Sequence, residues 1–406
     1  MDLILSRTVA LLVVAILVAI IARLVRLPYT VGLVITGTGL VLARVEIEAT
    51  LTHDFIFDVI LPPLLFEAAL SLHWAELRGD ALPILTLSIF GVVISAVVVG
   101  TGTVYFMGWP VSSAVVFGVL IAATDPVAVI AMFKDTGVKG RLRLLVESES
   151  LLNDGVAAVL FALALAWAQA AGPEFATPGR LASALALSTG GGIVVGLLCG
   201  GTAILVAGRT SDHLVETALT TVAAYGSFLL AEYLHGSGVL ATVAAGMLMG
   251  NLGVLGEPEA KRLSSRGREF VAAFWEFAAF IANSLIFLLI GVTVARISFD
   301  ALGWAALLIA IGLVLIGRAL SVYPLCVVFA RSRWAIPLRQ QHILWWGGLR
   351  GALALALALS LPASFVFRNE IVIATFGVVV FSVVAQGLTM SILLQLLSLR
   401  PSEEAT

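Results

Sequence analysis

The feature that most constrains this chain is a train of apolar runs, each about 20 residues long, recurring from one end to the other. Twenty residues of α-helix rise about 30 Å, the thickness of a bilayer's hydrocarbon core. Thirteen runs can be drawn, at roughly 3–23, 28–43, 52–72, 81–107, 111–133, 144–170, 181–207, 213–233, 237–254, 269–295, 301–330, 338–361 and 369–397. Only 12% of the 406 residues are charged, against roughly 25% in soluble domains, so a water-soluble enzyme is excluded. All the runs read as helices. In lipid the backbone must satisfy its polar groups within the segment, and the alternating, turn-rich pattern of an outer-membrane barrel is missing. The chain therefore reads as an all-α polytopic membrane protein.

Lys+Arg 23 against Asp+Glu 25 is too balanced to suggest nucleic acid as a partner. Cys199 and Cys326 stand alone inside apolar runs, which excludes a disulfide scaffold or a thiolate metal cluster. The histidines, His53, His73, His213, His235 and His342, lie scattered near span ends without metal-ligand spacing. Each reads as solvated or interfacial, with pH sensing as the functional alternative. The first run is followed by Arg23 and Arg26 with no small-residue cleavage pattern, so it reads as a span rather than a secretory signal. Loops are short throughout, and no cofactor and no ATP-hydrolysing domain is expected. Lysines and arginines concentrate on one side of the membrane, whereas the other side holds Arg7, Arg44, Arg180, Arg296 and Arg368. Bases accumulate in cytoplasmic loops, which puts the amino terminus outside and the carboxyl terminus inside.

A charge at mid-bilayer costs at least ~2.5–3.5 kcal/mol on insertion scales, so each one asks for a function. The set is Glu67, Asp125, Glu149, Asp154, Glu276, Arg318 and Arg350, with Glu147, Glu216 and Glu232 nearer span ends. Two arginines cannot neutralise so many carboxylates, which argues against a purely structural pairing of Asp125 and Asp154. Asp125 lies mid-span in ATDPVAVIAMF, from Ala123. Pro126 removes a backbone donor and disfavours helix at the residue before it, so the fifth span should break there. Half-helix ends and free carbonyls at membrane depth are how many transporters build cation sites. In the sixth span, Ser150 and Asp154 share one face and Glu149 and Asn153 the adjacent one. Glu147 shares the first face about 10 Å nearer the cytoplasm, where it would line an access funnel.

The twelfth span contains a second irregular stretch, WWGGLRGALALAL from Trp345, with Gly347, Gly348 and Gly351 around Arg350. It lies seven spans after the fifth. An odd offset reverses orientation, so the two broken helices would be equivalents in an inverted repeat, crossing at the midplane. Close helix packing is the plainer use of those glycines, but a lone guanidinium there needs a carboxylate, and Glu149 is its first candidate. Arg318 would share that role. Glu67 follows Pro62 and Pro63, which should kink the third span and turn the carboxylate inward. Trp275 and its aromatic neighbours read as packing, and Asn283 and Ser284 as interhelical hydrogen bonds or a polar lining.

Five separated motifs, LPPLLFEAAL from Leu61, ATDPVAVIAMF from Ala123, ESLLNDGVAAVLF from Glu149, FWEF from Phe274 and GGLRGALALALALSLP from Gly347, together resemble the cation:proton antiporters of the NhaP and eukaryotic sodium/proton exchanger branch. The resemblance spans essentially the whole chain. It implies about 13 transmembrane helices in an inverted-repeat antiporter fold, with broken helices at spans 5 and 12 and a core domain beside a dimerisation domain. It assigns 1–180 to the first repeat half, 181–210 to a connecting span, 211–400 to the second half and 401–406 to a short cytoplasmic tail. The partners it implies are a monovalent cation, a proton, the bilayer and a second copy of the chain, in the plasma (inner) membrane. Carried onto this sequence, its cation and proton site is Asp154, Asp125, Ser150 and Thr124, with Glu67 reached through water. Glu149 and Arg350 map to its supporting pair, and Asn153 to a link with Thr124. Asparagine at that last position goes with electroneutral exchange of sodium, and by extension lithium, for protons.

Elementary electrostatics leads the same way. A carboxylate withdrawn from water accepts a proton or a cation, and holding both is unfavourable. Asp154 can thus be the point of competition, with an oxygen-only ligand set suited to a hard cation. The alternatives are a potassium/proton antiporter of the same fold, a cation channel, against which the absence of a filter sequence counts, and an intramembrane aspartyl protease, against which the hydroxyl and amide beside Asp154 count.

Overall fold

Membrane-length apolar runs become helices with little between them. The computed structural model describes residues 2–24, 27–45, 51–169, 178–255 and 262–397, and among the described residues there is no β-strand. The chain passes through α1 (Asp2–Leu24), α2 (Tyr29–Leu42), α3 (Leu61–Leu70), α4 (Trp74–Gly79), α5 (Ala81–Met107), α6 (Val111–Leu120), α7 (Val127–Thr136), α8 (Arg141–Gln169) and α9 (Pro178–Ala207). It continues through α10 (His213–Tyr233), α11 (Gly238–Met249), α12 (Ser265–Val294), α13 (Trp304–Val328), α14 (Leu338–Trp346), α15 (Ala352–Leu359), α16 (Arg368–Phe381) and α17 (Gly387–Leu396). Among the described residues, seven helical stretches are long and apolar enough to cross a membrane unaided. The expected tail 401–406 lies outside the described residues, as do Arg26, Lys261 and Arg400.

Several other spans are built in pieces, and the breaks carry the functional geometry. α6 and α7 have 10 residues each, about 15 Å apiece and too short to cross alone. They join through a non-helical stretch ending at Pro126, the N-cap of α7. α14 and α15 flank a second break at Gly347–Gly351. The third span begins with a wider π-turn, Phe55–Ile60, before α3. Pro62 and Pro63 cannot donate backbone hydrogen bonds, so the prolines change the winding of the preceding turn. Similar π-turns close the ninth span at Gly250–Val254 and interrupt the thirteenth at Ser382–Gln386. The sequence reading holds no expectation of these wider turns, since an Asn, Ser or Gln within an apolar run does not by itself mark a change of helical winding.

Two compact units are interleaved along the chain. One comprises Met1–His53, Pro83–Ser150 and Asn283–Thr406, the other Asp54–Leu82 and Leu151–Ala282, so α8 and α12 each contribute to both. This division differs from the contiguous repeat halves 1–180 and 211–400, since compactness and internal repetition are separate properties.

Within the second unit, α11 is packed between α9 and α3. Gly192, Gly196 and Gly200 recur every fourth residue and form one face of α9. A Cβ at Gly196 would lie 2.1 Å from the Ala241 carbonyl oxygen of α11. Small residues matter here because lipid supplies no hydrophobic drive between helices and close van der Waals contact must do the work. Gly196→Val should therefore cost about 1–3 kcal/mol or more, seen as a lower melting temperature and loss of monodisperse protein in detergent; an unchanged melting curve would refute this packing. On the other side of α11, Phe66 packs against Trp275 in a tilted pair, 4.5 Å between ring centroids. Trp275 Nε1 also donates to Thr220 Oγ1 at 2.8 Å, so this aromatic ties α12 to α10 as well as filling space.

Candidate functional site

The two breaks of the first unit meet each other. The Asp125 backbone N–H donates to the Leu349 carbonyl at 2.8 Å. The Asp125 Oδ1 accepts from the Val127 N–H at 2.9 Å, and its carboxylate also accepts from the Ala352 N–H. Val127 opens α7 and Ala352 opens α15, so one carboxylate sits at the N-termini of two half-helices. Those ends carry unsatisfied donors and partial positive charge, which together hold a negative group in an apolar setting. Arg350 performs the converse role, its Nη1 donating to the carbonyls of Ala122 and Ala123 at 3.2 Å each. These carbonyls follow the end of α6, where negative partial charge collects. Arg350 is 1% exposed.

Gly351 permits this approach. A Cβ at that position would lie 2.0 Å from Asp125 Oδ2, so only glycine lets the two broken segments cross with a carboxylate between them. Beside the crossing, the Ser150 hydroxyl donates to the Thr124 carbonyl, and the two hydroxyls lie 3.0 Å apart. Thr124 and Ser150 are 3% and 2% exposed. α8 thus delivers a hydroxyl to the broken end of span 5, concentrating oxygen atoms beside Asp125.

Glu149 neighbours Ser150 on α8. Its carboxylate is gripped in a fork by Arg318 of α13, with Nη1 to Oε1 at 2.7 Å and Nη2 to Oε2 at 2.9 Å. The same guanidinium donates to the Leu344 carbonyl of α14 through Nε at 3.2 Å and Nη2 at 3.0 Å. From α5, the Ser88 hydroxyl donates to the Glu149 backbone carbonyl at 3.0 Å. Sequence reasoning puts Arg350 ahead of Arg318 as the partner of Glu149, yet the fork is made by Arg318. A guanidinium's place along its own helix does not reveal which neighbouring helix it faces; the available signal was only that Arg318 lies mid-span.

Asn153, Asp154 and Glu67 lie on the second unit's segments, whereas Glu147 belongs to the first. Asp154 follows Ser150 by one turn of α8 and is half-buried, while Asn153 is fully buried. Glu67 of α3 is half-buried. Glu147 is paired along α8 with Arg143, Nε to Oε2 at 3.3 Å, leaving its side chain 13% exposed. Elsewhere, the Ser284 and Tyr29 hydroxyls are hydrogen-bonded to each other, joining α12 to α2.

Two interrupted helices crossing within an all-helical membrane chain, their ends neutralised by one aspartate and one arginine, define a transporter of the broken-helix, inverted-repeat class rather than an enzyme. The particular family follows from comparison with known proteins. The chain belongs to the sodium/hydrogen exchanger family, whose transmembrane region matches residues 10–396. It is 41% identical over 375 residues to the Na(+)/H(+) antiporter ApNhaP of Aphanothece halophytica, covering 92% of this chain and 70% of that protein. It is 33% identical to the Na(+)/H(+) antiporter NhaH of Halobacillus aidingensis, over 96% of each chain. In fold it is similar to the sodium proton antiporter MjNhaP1 of Methanocaldococcus jannaschii, with a TM-score of 0.76 at 20% identity over 98% of this chain and 100% of that one.

Proposed function

We propose that this protein exchanges sodium for protons by alternating access, with Asp154 as the group that carries either the cation or the proton. The observation that supports this most directly is the crossing itself: Asp125 holds two half-helix N-termini together while Thr124 and Ser150 place oxygens next to it. Asp154 stands one turn beyond Ser150 on the same continuous helix. Thr124, Asp125, Ser150 and Asp154 offer oxygen atoms only, the chemistry a hard cation prefers. The names of the antiporters to which the chain is similar favour sodium. Lithium is proposed as a second substrate, and exchange is proposed to be electroneutral, one cation for one proton, with Asn153 rather than a second acid before Asp154. Glu67 would reach the cation through water, Glu147 would line the cytoplasmic approach, and Glu149, Arg318, Arg350 and Asn153 would hold the frame.

The protein is a multi-pass membrane protein. We place it in the plasma (inner) membrane with the amino terminus outside and the carboxyl terminus in the cytoplasm, as a homodimer.

Coupling follows from competition. If the site crosses only when loaded or protonated, because a bare carboxylate is too costly in an occluded apolar setting, each cation moved one way requires a proton moved the other. The test is proton flux in proteoliposomes, read with a pH-sensitive dye as sodium, lithium, potassium or choline is added. Sodium and lithium should release protons from wild type, and choline should not; Asp154→Ala should reduce the signal to background, as expected where an intramembrane carboxylate carries the transported ion. A response to potassium in preference to sodium would replace the substrate, and currents without proton movement would favour a channel.

A further inference from the structure

α11 has no charged side chain and no assigned part in exchange, yet it touches both the helix that carries Asp154 and the helix that carries Glu67. Against α8, the Leu240 side chain fills the notch over Gly155, the residue directly after Asp154. A Cβ at Gly155 would lie 2.3 Å from Leu240 Cδ2 and 2.8 Å from its Cγ, and Leu240 is 7% exposed. Against α3, a Cβ at Gly246 would lie 3.0 Å from the carbonyl oxygen of Phe66, the residue directly before Glu67. One turn further on, a Cβ at Gly250 would lie 2.3 Å from the Leu70 carbonyl oxygen. α3 therefore rests on α11 backbone to backbone, a contact that leaves no slack.

The end of α11 locks this register. Asn251, in the π-turn Gly250–Val254, accepts the Trp74 N–H at Oδ1, 2.7 Å away. Its Nδ2 donates to the Leu72 carbonyl at 2.9 Å and the Met247 carbonyl at 2.8 Å. One amide thus ties the link that follows α3 to the last turn of α11, and α3 cannot slide without breaking it.

The contacts at Leu240 and Gly246 are six residues apart on α11, about 9 Å along its axis. A single uncharged helix therefore sets the separation of the two backbones that bear Asp154 and Glu67. Discrimination between hard cations depends on cavity size, ligand number and the rigidity with which the ligands are held. Resting on the reading of Asp154 as the cation carrier, we propose that Leu240 and Asn251 are positioning residues for cation selectivity. By seating α8 and α3 on α11, they hold Asp154 and Glu67 at a spacing that suits sodium and disfavours the larger potassium ion.

Two measurements on the full-length protein test this. Half-saturating sodium and potassium are read from proton flux in proteoliposomes. They are read again, without transport, from the rise in melting temperature with each cation in detergent, since a cation that binds the folded protein stabilises it. Leu240→Ala and Asn251→Ala should each lower the ratio of half-saturating potassium to half-saturating sodium about tenfold. Leu240→Met, which refills the notch at similar volume, should restore the wild-type ratio. Thr242→Val, which removes the α11 hydroxyl bonded to the Ala224 carbonyl of α10, should leave the ratio unchanged. If Leu240→Ala does not fold, the smaller truncation Leu240→Val takes its place. An unchanged ratio in either folded truncation, with only maximal flux or melting temperature lowered, overturns the positioning role. A ratio that shifts in the melting assay while no protein, wild type included, moves protons supports the positioning and overturns the exchange reading instead.

Discussion

Replacing Arg318 with alanine is expected to cost about 3–5 kcal/mol of stability, the usual result of stranding one member of a buried ion pair. Glu149 is 2% exposed and Arg318 6%, and no water replaces a lost guanidinium there without rearrangement. The same side chain also occupies the Leu344 carbonyl, so α13 and α14 lose a direct tie. Fluorescence-detected size exclusion after heating should show a much lower melting temperature and reduced yield. The sign is tested by the double substitution Glu149→Leu with Arg318→Met, which removes both charges and should recover much of the loss, since a hydrophobic pair of similar volume is often as stable as the ion pair it replaces. Arg318→Ala melting like wild type would mean that the fork does not hold these helices.

Gly351→Ala is the second large effect expected. The new methyl would stand 2.0 Å from Asp125 Oδ2 and 2.3 Å from Asp125 Cβ, distances no side chain tolerates. Asp125 cannot step aside cheaply, because its carboxylate is engaged with Val127 and Ala352 and its own N–H with Leu349. The two broken segments must therefore separate. Overpacking of this kind costs about 1–3 kcal/mol, and each 1.4 kcal/mol that falls on cation binding is about tenfold in affinity. Half-saturating sodium in the proteoliposome assay should rise about tenfold or more, with the protein still folded. Gly312→Ala, at a position with open space around it, serves as the control and should behave as wild type. Equal kinetics for the two variants would show that the close approach at Gly351 is not used in transport.

Helix positions were legible because lipid makes the backbone problem one-dimensional: each apolar run must satisfy its own hydrogen bonds. The break before Pro126 was legible for a similarly local reason, the missing donor and the steric bias that proline imposes. Gly347, Gly348 and Gly351 around a lone arginine marked the second break. By contrast, the π-turns at Gly250–Val254 and Ser382–Gln386 were not legible, since Gly, Asn, Ser and Gln in an apolar span have many uses and none specifies a wider turn. The double capping by Asp125 was also out of reach, since it needs the N-terminus of α15, more than 200 residues away, to arrive beside that of α7.

The amino-acid sequence by itself determined that the chain lies in a membrane, which residues pay for charge within it, where two helices break and which family motifs it carries, because each of these depends on spacing along one chain. Partner choice was decided only by tertiary structure. Arg318 and Arg350 are chemically identical, and both lie in apolar spans; one grips Glu149 and the other caps Ala122 and Ala123 solely because of the helices each happens to face. Long-range electrostatic pairing is a property of three-dimensional neighbours, and a guanidinium buried in the bilayer bonds whatever oxygen the packing brings to it.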